Sequence, residues 1–83
     1  TDENISGYKI RTFYKDVPDK ELIWHRDQND RMVEVLGGDG WKFQFDNELP
    51  IDLKPGDILY IKKHRIHRVI KGNSDLTIKI EEF

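Results

Sequence analysis

The residues best suited to chemistry in this 83-residue chain concentrate in Trp24–Arg31, WHRDQNDR, where a histidine, two arginines and two aspartates follow a tryptophan. His25 and Asp27 alternate, so on an extended strand both point to the same face. A His-x-Asp pair completed by a distant histidine is the ligand set of a facial triad. Two imidazoles and one carboxylate hold one face of a non-haem Fe(II) and leave the other positions open. Further histidines stand at positions 64 and 67. The plainer alternative is a solvated turn, in which Asp27 and a neighbouring arginine make a surface ion pair worth little.

Other chemistries lack their parts. The chain has no cysteine, which removes disulfides, thiolate metal sites and cysteine nucleophiles, and leaves any metal to His, Asp or Glu. No serine sits in a nucleophile-like context, and the glycines of Gly37–Gly40, GGDG, lead into a strand pattern and not a helix that would hold phosphate. Fourteen basic and sixteen acidic side chains give a net charge of -2 without a long block of either sign, which argues against a nucleic-acid face. There is no apolar run long enough to cross a bilayer and no signal-like start, so a soluble, cytoplasmic protein is expected. The chain opens at Thr1 without methionine, as expected where an upstream residue or tag has been removed.

The elements that must position these residues read as short antiparallel strands. Apolar residues recur at a period of two, interrupted by Gly, Pro, Asn and Asp, and no stretch repeats a helical period. Strands are expected over Tyr8–Tyr14, Glu21–Asp27, Met32–Leu36, Trp41–Phe45, Ile58–Lys62, His67–Ile70 and Leu76–Ile80. GGDG is expected to close a tight hairpin between two of them, because its glycines supply positive φ. Trp41, Phe43 and Phe45 share one face, with Lys42 and Gln44 on the other. With 36% hydrophobic content, 83 residues suit one domain spanning 1–83. This many short strands predict an all-β, closed or nearly closed antiparallel barrel.

The segment LKPGDILYIKKHRIHRVIKG, Leu53–Gly72, resembles the second conserved motif of the cupin superfamily, where a Pro-Gly-Asp turn leads a strand and a histidine follows after a short hairpin. Gly56 and Asp57 match the turn, and His67 the metal-binding histidine. HRDQNDRMVEVLGG, His25–Gly38, aligns with the first motif: His25 stands at the first ligand position, Asp27 at the second, Arg31 at the third and VLGG at the turn. Asp27 replaces a histidine, Arg31 a glutamate or glutamine, and KKH the usual Pro-x-Gly. The chain is similar also to the JmjC-type 2-oxoglutarate oxygenases, which share the barrel, the HxD and a PGDILYI-like strand.

The resemblance, which runs from Trp24 onward, implies a cupin-like jelly roll in which His25, Asp27 and His67 hold one divalent metal. Fe is favoured by the triad, and Mn, Ni and Zn are compatible with the ligand types. Asp30 is a lesser candidate for a fourth ligand. Trp41, Phe43 and Phe45 are most simply core. Arg31, Trp41, Lys42 and Gln44 are the candidate substrate-binding residues: Arg31 to charge-match an anion, Trp41 as an apolar wall if its face lines the barrel mouth, and Lys42, or Arg68, as the basic residue a cosubstrate carboxylate needs. His64 falls in the hairpin, and Trp24 points away from the ligands. The expected ligand is a small polar or anionic molecule, and the open metal positions permit oxygenase or isomerase chemistry. Two other classes stay open, a metal-free binding module in which Arg31 and Asp27 pair, and a homodimeric accessory protein. In the latter, SGYKIRTFYK, Ser6–Lys15, donates an edge strand to a second copy.

Overall fold

The computed structural model describes Asp2–Ile5 and Gly7–Phe83. Eight strands form two sheets: β1 Asp2–Ile5, β2 Tyr8–Phe13, β3 Arg31–Gly37, β4 Lys42–Phe45, β5 Ile51–Asp52, β6 Ile58–Ile61, β7 His67–Ile70 and β8 Leu76–Glu82. The larger sheet has the order β1-β2-β8-β3-β6 and the smaller β5-β4-β7, with every pairing antiparallel. The jelly-roll expectation is met by two antiparallel sheets facing across one core.

Strand alternation builds that core. Val33 and Val35 of β3, Ile61 of β6 and Leu76, Ile78 and Ile80 of β8 face inward from the larger sheet, and Phe43 meets them from the smaller. Trp41 and Leu53 join the same cluster, and Trp41 is fully buried. Fully burying an aliphatic or aromatic side chain of this kind contributes about 1.5–3 kcal/mol. The register is pinned at Pro55–Asp57: Gly56 has φ +93° and donates its N–H to the Val35 carbonyl at 2.8 Å, while the Val35 N–H bonds the Asp57 carbonyl at 2.9 Å. The Asp57 carboxylate closes the turn by accepting from the Lys54 N–H at 2.8 Å.

Four expectations are corrected. Gly37–Gly40 closes no hairpin, because β3 and β4 lie in different sheets. The turn is tied instead to the 71–75 loop, where the Asp39 carbonyl accepts from the Asn73 N–H at 2.8 Å and the Trp41 indole N–H donates to the Ser74 carbonyl at 2.6 Å. β6 and β7 likewise sit in different sheets, so residues 62–66 are a crossing loop. Its turn is made by His64 at φ +66°, a left-handed conformation that histidine adopts more readily than most residues. Glu21–Asp27 is not a strand: Asp19–Glu21 is a 3-10 turn, and His25 forms a single bridge to β7. Nor is Ser6–Lys15 an edge. β2 is paired on both sides, by β1 and β8, so it is not free to pair with another copy; Ser6 and Thr1 lie outside the described residues. Strands β1 and β5, not expected, are short polar or isolated pairs that carry little alternation.

Replacing Trp41 with Ala is expected to cost about 3–5 kcal/mol of unfolding free energy, and Tyr60→Ala, at a side chain 68% exposed, under about 0.5 kcal/mol. Urea melts of the two variants check this, and equal losses would contradict a core centred on Trp41.

Candidate metal centre

His25 and His67 are brought together by backbone pairing. Each donates its N–H to the other's carbonyl, at 3.0 and 2.9 Å, which makes them a hydrogen-bonded antiparallel pair with both side chains on one face. Their rings meet edge to face with centroids 4.4 Å apart. Asp27, two residues on, falls on the same side and is buried, its carbonyl accepting from the His64 N–H at 2.8 Å. One ligand atom from each of His25, Asp27 and His67 lies within 4.8 Å of the others.

The protonation pattern follows from the partners. The Nδ1 atom of His67 lies 2.7 Å from the Arg65 carbonyl and that of His25 lies 3.1 Å from the Ile23 carbonyl. A carbonyl only accepts, so each Nδ1 carries the proton and each neutral ring keeps a lone pair on Nε2. The Nε2 of His67 lies 3.3 Å from Asp27 Oδ2, yet that oxygen is buried without a hydrogen bond. Two lone-pair-bearing atoms therefore face one another where a cation would satisfy both. Ligand atoms about 2.1 Å from one ion, in tetrahedral or octahedral arrangement, lie ~3.0–3.4 Å apart, so the separation of Asp27 Oδ2 and His67 Nε2 suits two ligands of one ion. Backbone carbonyls on the far ring nitrogens are the usual way a protein fixes metal-binding histidines.

The other carboxylate oxygen, Asp27 Oδ1, lies 3.3 Å from Arg31 Nη1. Arg31 Nη2 reaches Glu82 Oε1 at 3.3 Å, and Lys9 Nζ lies 3.6 Å from the same oxygen. A hydrogen bond from Asn29 holds the Glu82 carboxyl below the usual range, with Arg31 and Lys9 adding to the effect. Arg31 thus occupies one oxygen of Asp27 and leaves the second for an ion. Asp30, by contrast, accepts from the Lys63 N–H at 2.8 Å and takes no part in the cluster.

The cluster opens on a cavity of about 400 Å³ between the sheets. Its walls are mostly apolar and include Phe13, Leu22, Val35, Phe43, Leu59 and Ile78; His25, Asp27, Arg31 and His67 line it as well, joined by Arg11. The other candidate substrate residues do not line it. Trp41 is core, because its strand face packs on Phe13 and its indole is held by Ser74. Lys42 pairs with Asp52 at 2.6 Å, and Gln44 with the Glu48 carbonyl and Arg68; β4 alternates, so the strand that buries Phe43 turns these outward. Arg68 also lies over the Trp24 ring, 4.4 Å from its centroid, on the outer side. Missing from the sequence reading were Arg11 and Phe43 as site residues. Phe43 stacks on His67 with centroids 5.5 Å apart, and Arg11 shares an inward face with Phe13. The alternation of β2 was visible, but not which of its faces turns in.

Burial lowers the His67 pKa from its ordinary 6.5, with the bond to the Arg65 carbonyl opposing in part. In metal-free protein the unfolded chain therefore takes up a proton on falling through about 6.5 that the folded chain resists, and stability falls in that window. Thermal melts in chelator at pH 7.5 and 5.5 are expected to show the drop, and His67→Asn to show a smaller one; an unchanged drop would place its origin elsewhere.

No family model and no curated protein matches this chain. Solved structures do. A cupin-2 domain containing protein from Shewanella frigidimarina NCIMB 400 superposes with TM-score 0.66 at 20% identity, over 94% of this chain and 72% of that one. A cupin domain from Bordetella pertussis Tohama I gives TM-score 0.62 at 17% identity, over 92% and 79%. The FeII form of HppE gives 0.70 at 16%, over 92% of this chain and 41% of that one. Among the described residues no helix is long and apolar enough to cross a membrane. The order of the strands, the two facing sheets and these superpositions agree: this chain has the cupin fold.

Proposed function

We propose that this chain is a metal-binding cupin in which His25, Asp27 and His67 hold one divalent ion at the head of a cavity for a small molecule. The observation that carries this is the facing pair of Asp27 Oδ2 and His67 Nε2, buried, 3.3 Å apart and without a donor between them. Iron is favoured, since two imidazoles and one carboxylate on one face form its facial triad; the FeII of HppE, on a similar fold, supports the same choice. Manganese, nickel and zinc suit the same donors.

When bound, such an ion supplies Lewis-acid chemistry, or for iron one-electron chemistry, at its open positions. The chain's own residues do the rest. The Arg65 and Ile23 carbonyls keep the proton on each Nδ1, so both Nε2 atoms stay available. Arg31 holds Asp27 by one oxygen and fixes its plane. Phe43 stacks against His67 and, with Phe13 and Leu22, keeps water from the inner cavity. Those walls suit a ligand with an apolar body, narrower than the polar molecule expected from sequence. Oxygenase and isomerase reactions are the enzyme classes this arrangement serves.

A metal-free binding module is the second reading. The Arg31–Asp27 contact at 3.3 Å favours it, because that pair partly neutralises the carboxylate without an ion. Elemental mass spectrometry and calorimetry on natively purified protein separate the two. Close to one metal per chain is expected, with affinity falling at least about tenfold in His25→Ala and in Asp27→Asn, and a raised melting temperature with metal in excess. No bound metal and no thermal shift with Fe(II), Mn, Ni or Zn would leave the metal-free module.

A further inference from the structure

The charges around the cluster are balanced before any ion arrives. On the inner face of the larger sheet and around the cavity, the carboxylates of Asp2, Glu21, Asp27 and Glu82 equal in number the cations of Lys9, Arg11, Lys20 and Arg31. Arg11 bonds Asp2 at 2.8 and 3.0 Å, and Arg31 and Lys9 share Glu82. Both histidines would ligate through Nε2 as neutral imidazoles, so in the loaded site they would add no charge. A divalent ion on His25, Asp27 and His67 would therefore add two positive charges to a set of side chains already balanced. The one carboxylate in its ligand set already answers to Arg31. In a cavity with apolar walls that excess is not screened by water, and it favours an anion from outside.

A second observation points the same way. Arg31 Nη1 and Nη2 have partners, but its Nε is buried with no acceptor. Leaving such a donor unsatisfied is costly, and an oxygen reaching the guanidinium would recover that cost. Arg11 lines the same cavity from β2, with β8 separating it from β3. The polar groups thus gather at one end and the apolar walls fill the rest.

We infer that the ligand is a small amphipathic carboxylate, its carboxylate held between the ion and the Arg31 guanidinium, with Arg11 adding attraction, and its apolar body against Phe13, Leu22 and Leu59. This rests on the metal reading above and names the ligand class for that same site. The residue at the third ligand position then acts as the anion receptor, which explains why a guanidinium is placed where it opposes metal binding.

The two roles of Arg31 pull in opposite directions, and that makes the inference testable with redox-inert zinc. Calorimetry on zinc-loaded protein with hexanoate, hexanol and hexylamine is expected to show hexanoate binding at least about tenfold tighter than either of the others. In Arg31→Gln, hexanoate is expected to weaken by at least about tenfold, as loss of a charge-assisted bond implies, while zinc binds as tightly as before or more tightly, since a repelling charge has gone. A purely structural Arg31 would lose both. Arg11→Gln, at a strand residue whose pair with Asp2 lies toward solvent, serves if the first variant does not fold: hexanoate is expected to weaken several-fold with zinc unchanged. Zinc that binds with no preference for hexanoate over hexanol, or hexanoate indifferent to both substitutions, overturns this inference alone; failure of zinc and equally of Fe(II), Mn and Ni to bind overturns the metal reading beneath it.

Discussion

The two backbone hydrogen bonds exchanged by His25 and His67 join a segment that has no strand of its own to the outer edge of β7. Their geometry places both side chains on one face, and the period-two alternation of extended chain then sets Asp27 beside them. Residues 14–30 are otherwise irregular, so this one pair fixes where the ligand-bearing end of the segment lies. The neighbouring loop adds to it: the His64 N–H donates to the Asp27 carbonyl, and the Lys63 N–H to the Asp30 carboxylate. The candidate site is thus built where two loops are stitched together over the open end of the sandwich.

Around that pair, each group is held by a neighbour with one purpose. Carbonyls occupy the outer nitrogens of both rings, Arg31 occupies one oxygen of Asp27, and Glu82, held by Asn29 and Lys9, balances Arg31. Among the described residues, the buried side-chain atoms without a hydrogen bond are one carboxylate oxygen of Asp27 and the Nε of Arg31. Buried polar atoms without partners are uncommon in folded proteins and concentrate at functional sites. Here the two lie on neighbouring residues of one ion pair, one suited to a cation and the other to an anion.

The sequence reading located β2, β3, β4, β6, β7 and β8 to within a few residues, because inward apolar side chains at every second position mark a half-buried strand. It failed where that signal is weak or shared. Glu21–Asp27 alternates like a strand, but Pro18 and the 3-10 turn at Asp19–Glu21 direct it across the barrel end, where the β-bridge found is that of His25 to His67. The glycines of 37–40 were read as a hairpin because positive φ was recognised, and the turn does use it: Gly40 has φ +77°, and a Cβ there would meet Asn73 at 2.6 Å. The same backbone freedom serves a crossing between sheets as readily as a hairpin, and local sequence does not distinguish the two.

The sequence by itself determined the all-β class, the turn at Pro55–Asp57 and the residue types able to hold a metal, since these depend on alternation, backbone freedom and donor chemistry within a few residues. Only the tertiary structure decided which side of β4 and β2 faces the cavity. Trp41 took its simpler reading as core and not the apolar wall, Lys42 and Gln44 turned outward to Asp52, Glu48 and Arg68, and Arg11 turned inward. Alternation defines two faces of a strand but is symmetric between them. What breaks the symmetry is the opposing sheet, and its position is fixed by pairings between residues far apart in the chain.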